Sequence, residues 1–220
     1  MTVEDTPIDN VIQFPAEKLP KFGFERVTRR KSGDAAMEQA GQLNLFTGGV
    51  GDRRPRQTGD VVPIAAALGP FDEALMYDEQ GDDRAADAYH KAIQQEDSVA
   101  DAYCNLGFIS TRNGRTSQAF DYFTEALKSD PQHFESHYNV ANLYFEGGEL
   151  RPARLHYQVA AELDPEFANV YFNLAIVDAM SGALDSALTA LTRYKELVPA
   201  DDSGKADELL ATLKRTLEQN

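Results

Sequence analysis

Residues 103–131 read YCNLGFISTRNGRTSQAFDYFTEALKSDP, and their pattern recurs along the chain at intervals of 34 residues. Three features carry the repeat: an alanine, a large residue four positions after it, and a proline that closes the unit. The alanines are Ala85, Ala119, Ala153 and Ala187, the large residues are Tyr89, Phe123, Tyr157 and Leu191, and the prolines are Pro131, Pro165 and Pro199. So many matches at one spacing predict an array of similar structural units.

Each unit is predicted to be a hairpin of two antiparallel α-helices. A small residue at a fixed position lets two helices approach closely, and the large residue one turn later fills the space beside them. Proline ends the second helix because it has no amide hydrogen to continue the hydrogen-bond ladder. One hairpin cannot bury both of its faces, so neighbouring hairpins must stack to complete an apolar core.

The motif Tyr103-Cys-Asn-Leu-Gly107, the pair Ala119 and Phe123, and Pro131 resemble the tetratricopeptide repeat, and the resemblance covers about residues 71–201. It implies an all-α fold, a right-handed α-solenoid of helical hairpins. It also implies that the first helix of each hairpin lines a concave groove.

Two parts are expected, a mostly disordered N-terminal arm at 1–65 and a repeat domain at 66–220. The arm has only short apolar patches, such as Phe22-Gly-Phe24, which proline and glycine interrupt. The expected repeats are a degenerate one at about 66–99 and clear ones at 100–133, 134–167 and 168–201. The leucines at 209, 210, 213 and 217 form one stripe and predict an amphipathic capping helix at 203–219.

Family geometry implies that certain side chains of the first helices face the groove. They are Cys104, Asn105, Phe108, Arg112, Tyr138, Asn139, Asn142, Phe145, Phe172, Asn173, Ile176 and Met180. Most of them are aromatic or aliphatic, and an exposed apolar stripe of this kind usually marks a binding site. We therefore expect the groove to bind a peptide or protein segment. Closure of the solenoid or formation of a homo-oligomer is the alternative that would bury the same side chains.

An asparagine occupies the same position in all three clear repeats, as Asn105, Asn139 and Asn173. A primary amide both donates and accepts hydrogen bonds, so a row of amides can hold the main chain of an extended peptide. The row is similar to the asparagine ladder of O-GlcNAc transferase, and a structural role is the alternative. The basic residues that bind acidic chaperone tails in this family are missing, since Asp101 and Glu135 occupy two of those positions.

The net charge of −15 at pH 7 is confined to the repeat domain. Residues 1–65 contain nine acids and nine bases, whereas residues 66–220 contain 27 acids and 12 bases. Because an acidic surface repels phosphate, nucleic acid is not expected to bind the repeat domain. Residues 18–31 of the arm hold six bases against one acid, Glu25. Three candidate ligands of this basic patch are nucleic acid, an acidic partner and the acidic domain of the same chain. The remaining alternative is a solvated patch without a ligand.

The arm also contains Gln42-Leu-Asn-Leu-Phe46, which resembles the pentapeptide that binds the bacterial sliding clamp. The resemblance implies that Gln42 makes hydrogen bonds, while Leu43, Leu45 and Phe46 enter an apolar pocket. A glycine-flanked flexible arm is the setting that a linear motif requires. Docking of the three apolar residues into the chain's own groove is one alternative, and the absence of any role is the other.

The sequence contains no recognisable motif for catalysis or for binding a cofactor or a metal ion. His133 and His137 could share a helix face, but no third ligand is spaced to join them, so both are expected to be surface histidines. Cys104 is the single cysteine and is expected to pack or line the groove. The apolar runs are too short to cross a membrane, and the start of the chain lacks a basic signal region. A cytoplasmic location is therefore expected.

These patterns favour a non-enzymatic scaffold or adaptor that binds a protein or peptide partner. The alternative function is that of a DNA-associated regulatory adaptor, recruited through residues 42–46 or through the basic patch.

Overall fold

The structure is a computed structural model that describes residues 22–28 and 68–219, and within them all regular structure is helical. The α-helices are α1 (Pro70–Glu79), α2 (Ala85–Gln94), α3 (Val99–Arg112), α4 (Thr116–Ser129), α5 (Phe134–Glu146), α6 (Leu150–Leu163), α7 (Ala168–Met180), α8 (Leu184–Leu197) and α9 (Gly204–Gln219). A short 3-10 helix at Ala200–Asp202 precedes α9. The predicted all-α class is confirmed.

The described residues group into two compact units. One unit consists of 22–26 and 99–219, and the other consists of 27–28 and 68–98. In the second unit α1 and α2 form a hairpin, in which the rings of Phe71 and Tyr89 lie 5.8 Å apart. The sequence places this degenerate hairpin in one domain at 66–220, whereas the structure groups it apart from the three later hairpins.

Three hairpins, α3–α4, α5–α6 and α7–α8, stack in order in the first unit, and α9 packs on α8. On α9, Ala206, Leu209 and Leu213 are buried and Leu210 is half-buried, so the predicted capping helix covers the open end of the stack. The side chain of Leu217 lies outside the described residues.

Glycines and prolines set the helix ends. The first helices α3, α5 and α7 each end two residues before a glycine with positive φ, at Gly114 (69°), Gly148 (76°) and Gly182 (78°). Only glycine adopts this left-handed conformation without strain. The second helices α4, α6 and α8 each end two residues before Pro131, Pro165 or Pro199.

Close packing within the first hairpin depends on Gly107 of α3. A Cβ atom at this position would lie 2.5 Å from Cε1 of Phe123, whose ring is fully buried on α4. Such a distance is far inside van der Waals contact, so the small residue is needed for α3 to approach α4.

Candidate functional site

The first helices of the second and third hairpins, α5 and α7, carry three buried amides. Asn139 and Asn142 lie on α5, three residues apart and therefore on one face, and Asn173 lies on α7. Their side chains are at most 3% exposed. We call these three residues the amide row. Asn105 of α3, at the equivalent repeat position, is also buried.

The amide row holds a segment of the chain's own arm. Residues 22–26, which we call the docked segment, have no regular secondary structure. Oδ1 of Asn173 accepts a hydrogen bond from the amide of Phe22 at 3.2 Å, and its Nδ2 donates to the Phe22 carbonyl at 3.1 Å. Asn139 pairs in the same way with Glu25, at 2.8 and 2.6 Å. Nδ2 of Asn142 donates to the Gly23 carbonyl at 3.0 Å.

Each paired asparagine binds both the N–H and the C=O group of one residue of the segment, as an adjacent β-strand does. These groups are common to every residue except proline, which lacks the N–H, so the pairing fixes position without selecting side chains. Phe22 lies at the third clear repeat and Glu25 at the second. The docked segment therefore runs opposite to the order of the repeats.

A second layer of hydrogen bonds fixes the orientation of the amides. Oδ1 of Asn142 accepts hydrogen bonds from Nδ2 of Asn173 at 3.1 Å and from the hydroxyl of Tyr157. Nδ2 of Asn173 also contacts the hydroxyl of Tyr138 at 3.0 Å. Burial raises the pKa of both tyrosine hydroxyls above the ordinary value. The tyrosines therefore stay protonated, and the network holds the Asn142 donor toward the segment.

Aromatic contacts fix the two phenylalanines of the docked segment at separate places. The ring of Phe22 meets that of Phe172 edge-on at 5.3 Å and lies 6.0 Å from that of Tyr194. The ring of Phe24 is parallel to that of Phe123, with centroids 6.4 Å apart. Edge-on and offset parallel pairs of this kind each contribute about 0.5–1.5 kcal/mol beyond the area they bury.

The Glu25 side chain lies in unfavourable surroundings. Its burial raises the pKa of the carboxyl above the ordinary value, and the charge of Glu135 raises it further. A hydrogen bond from Asn169 opposes these effects without cancelling them. The main chain of Glu25 is thus held firmly at a position where a negative side chain is disfavoured.

Substitution of Glu25 by glutamine is expected to strengthen docking at neutral pH, because glutamine resembles the protonated acid. Because docking raises the pKa of the Glu25 carboxyl, the wild-type segment docks most strongly below the pKa of the free carboxyl, which is about 4.3. Docking weakens as the pH rises through the pKa of the docked carboxyl. The docked fraction can be followed from the NMR amide shifts of Phe22 and Glu25 as the pH is raised from about 4 to about 7. Glu79→Gln, an exposed change, is the control. Weaker docking of Glu25→Gln would contradict the assignment.

The predicted groove residues fall into three classes of exposure. Buried are Cys104, Asn105, Tyr138, Asn139, Asn142, Phe172, Asn173 and Ile176, half-buried are Phe108, Phe145 and Met180, and exposed is Arg112. The expectation of an exposed apolar stripe is wrong at Tyr138, Phe172 and Ile176. Tyr138 packs between helices against the rings of Phe134, Tyr157 and Phe167, Ile176 belongs to the interhelical core, and Phe22 and Tyr194 contact Phe172.

The exposure of His133 also differs from the prediction. This residue is 1% exposed rather than a surface histidine, because its ring caps α5. Nδ1 accepts a hydrogen bond from the amide of Ser136 at 3.2 Å, and Nε2 lies 2.8 Å from Oδ1 of Asp101. His137 instead pairs with His156, with 3.0 Å between their Nδ1 atoms.

Cys104 is buried, as expected for a packing residue. Burial raises the pKa of its thiol far above the ordinary value, which disfavours a nucleophilic thiolate. Within 22–28 and 68–219, no cluster of three or more potential ligands could hold a metal ion. Over the same ranges, no helix combines the length and the hydrophobicity that a membrane span needs.

Sequence reasoning identified the asparagines but missed the segment that they bind. The available signal was the pair of aromatic residues two positions apart, Phe22 and Phe24, beside three candidate amide donors in the repeats. The predicted linear motif, Gln42, Leu43, Leu45 and Phe46, lies outside the described residues. Its docking into the groove therefore stays a prediction.

Part of the chain is similar in sequence to known proteins. The chain is 29% identical over 106 residues to human "Tetratricopeptide repeat protein 8" and 31% identical over 106 residues to the mouse protein of the same name. These matches cover 48% of this chain and 20% and 21% of the relatives. "Probable biofilm formation methyltransferase WspC" of Pseudomonas aeruginosa is 31% identical over 100 residues, which are 45% of this chain and 24% of that protein. The chain thus spans about a fifth to a quarter of the length of these relatives.

Solved structures share the fold. The first repeat domain of Spaghetti (RPAP3), solved with the HSP90 peptide SRMEEVD, has a TM-score of 0.50 and 20% identity, and the match covers 54% of this chain and 93% of that one. MamA has a TM-score of 0.51 and 19% identity, with coverage of 66% and 95%.

Family models match two parts of the stack of hairpins. The model described as "Tetratricopeptide repeat" matches residues 100–133, and the one described as "TPR repeat" matches residues 141–182. The first region corresponds to the α3–α4 hairpin, and the second runs from within α5 to just past the end of α7. Residues 100–133 and 141–182 of this chain are therefore similar to tetratricopeptide repeats.

Proposed function

We propose that the unit containing α3–α9 is a non-enzymatic scaffold that binds an extended peptide or protein segment along the amide row. The observation that carries this proposal is the pairing of Asn139 and Asn173 with both main-chain groups of one residue each. A surface that holds the main chain of one non-helical segment is suited to hold another.

Affinity is expected to come from two sources. Each hydrogen bond to the main chain contributes about 0.5–1.5 kcal/mol, and an unmet buried partner costs more than that. Burial of aromatic side chains adds about 25 cal/mol for each Å² of apolar surface removed from water. The amides set the position of the ligand, while the aromatic contacts supply much of the binding energy.

Charge limits the class of ligand. The peptide bound to the RPAP3 repeat domain, SRMEEVD, carries more acids than bases. In this chain Asp101 and Glu135 occupy positions where family members that bind acidic tails carry bases, and Glu135 raises the pKa of the docked Glu25. We therefore propose that the ligand is neutral or basic at the residue paired with Asn139.

Loss of the amide pairs is expected to abolish most peptide binding. Random dodecamer peptides displayed on phage are selected on the full chain, and the enriched sequences are then tested on Asn139→Ala/Asn173→Ala. Removal of two bidentate contacts should weaken the enriched peptides at least about tenfold, which corresponds to about 1.4 kcal/mol.

Asn113→Ala is the matched control, because Asn113 is an exposed turn residue at the end of α3. It should bind the selected peptides as the wild-type chain does. Circular dichroism of each variant verifies that helicity is retained. Enriched peptides that bind the double variant unchanged would contradict the proposed function.

The alternative function, recruitment to a sliding clamp or to DNA through residues 42–46 or the basic patch, stays a prediction of the sequence. The described residues contain no observation that favours it over the peptide-binding scaffold.

A further inference from the structure

We propose that the docked segment is an intramolecular competitor, which a partner displaces by presenting an aromatic residue, any residue and a second aromatic residue in an extended main chain. This inference rests on the proposed function and specifies its ligand. It assigns to residues 22–26 the role of occupying the amide row until such a partner binds.

The two aromatic positions are defined by separate contacts in the repeats. Phe22 packs on Phe172 and Tyr194 of the third clear repeat, whereas Phe24 packs on Phe123 of the first. In an extended chain, residues two apart project to the same side, so one aromatic pair can reach both places at once. The Nζ atom of Lys205 lies 5.9 Å from the Phe22 ring centroid and adds a cation–π contact that favours an aromatic residue there.

The position between the two aromatic residues, which is Gly23 in this chain, does not require a particular side chain. Gly23 is exposed, its φ is not in the left-handed region, and an added Cβ would meet no atom within 4 Å. Only its carbonyl is used, by Nδ2 of Asn142. Substitution of this glycine should therefore leave binding unchanged.

The position paired with Asn139 makes the docked segment displaceable. Glu25 brings a carboxylate toward Glu135, with the Asn169 amide as a partial compensation. A partner with a neutral residue at this position keeps the main-chain pairing and avoids the repulsion. The unfavourable position of Glu25 is offset because the docked segment is covalently linked to the repeats. This link raises the effective concentration of the segment at the amide row.

The experiment uses a fluorescein-labelled peptide of residues 18–29, KLPKFGFERVTR, and measures its binding by fluorescence anisotropy. The proteins are the full wild-type chain and the full Phe22→Ala/Phe24→Ala chain, whose own segment lacks both aromatic contacts. Because an occupied site lowers the apparent affinity, the peptide should bind the double variant at least about tenfold more tightly than the wild type. Urea unfolding of both chains establishes that the substitutions leave the helices folded.

Three altered peptides test the ligand pattern on the Phe22→Ala/Phe24→Ala chain. The Gly23→Ala peptide should bind as the parent does, the Glu25→Gln peptide should bind more tightly, and the Phe22→Ala/Phe24→Ala peptide should lose at least about tenfold in affinity. Equal binding of the last peptide, or a large loss with Gly23→Ala, would overturn the pattern.

The outcomes separate the two proposals. Equal affinity of the parent peptide for both chains, with a loss on Asn139→Ala/Asn173→Ala, overturns the competition while the proposed function stands. A peptide that binds neither chain, or that binds regardless of the two asparagines, overturns both. A wild-type dimer that dissociates in the Phe22→Ala/Phe24→Ala chain, seen by sedimentation, would show that the segment docks on a second copy and would overturn the intramolecular assignment.

Discussion

Replacement of Phe123 by alanine is expected to lower the free energy of unfolding by about 3–5 kcal/mol, the usual cost of removing a buried aromatic ring. The ring is completely buried on α4 and fills the space against Gly107 of α3. Helices on both sides are fixed by the stack of hairpins, so the cavity cannot close easily. The same change removes the surface on which Phe24 packs, and it should also release the docked segment.

Urea unfolding followed by circular dichroism measures this effect, with tyrosine fluorescence as a second probe because the chain has no tryptophan. Leu155→Ala is the control, since Leu155 of α6 is 60% exposed. It should change stability by no more than about 0.5 kcal/mol. Similar losses in the two variants would contradict the packing described for α3 and α4.

Valine at position 107 is expected to cost about 3 kcal/mol, at the upper end for overpacked cores. Its Cβ would lie 2.5 Å from the Phe123 ring, and its branched methyl groups would need still more space. Either the ring leaves its place or α3 moves away from α4. Both responses disturb the hairpin that supports Phe24.

Gly147→Ala provides the matched glycine substitution. Gly147 has φ of −76°, and an added Cβ would meet its nearest atom at an ordinary 3.5 Å. That variant should be neutral or gain about 0.4–1 kcal/mol, since alanine restricts the unfolded chain. Urea midpoints of the two variants check the contrast. A stable Gly107→Val chain would show that α3 and α4 are not in close contact at this point.

Much of the fold could be predicted because its signals are local. Proline cannot continue a helix, so Pro131, Pro165 and Pro199 predict the ends of α4, α6 and α8 from the sequence alone. The turns inside the hairpins have an equally local signal, namely Gly114, Gly148 and Gly182 at the same 34-residue spacing.

The candidate site was predicted only in part. Asn139, Asn142 and Asn173 were expected to face the groove, because their place in the repeat fixes their side of the helix. The docked segment has no helical or alternating period, and Phe22 meets Asn173 across 151 residues of sequence. Periodicity carries no information on such a contact.

Exposure was the least predictable property of the site residues. Repeat position indicates the direction of a side chain, but it does not show how far neighbouring helices close over it. Tyr138 and Ile176 are covered by adjacent helices, while Phe172 meets a ring from the arm. His133 was misjudged for a related reason, since its capping bond depends on the turn that precedes α5.

The pairing of Phe22 with Asn173 and of Glu25 with Asn139 has a geometric consequence. Asn139 and Asn173 occupy the same position in successive repeats, and each binds both main-chain groups of one residue of the segment. The stack of hairpins therefore determines where the main chain of a ligand is bound, independently of the side chains at those two positions. Insertion of a hairpin that carries an asparagine at this position would add one more main-chain pair to the bound segment.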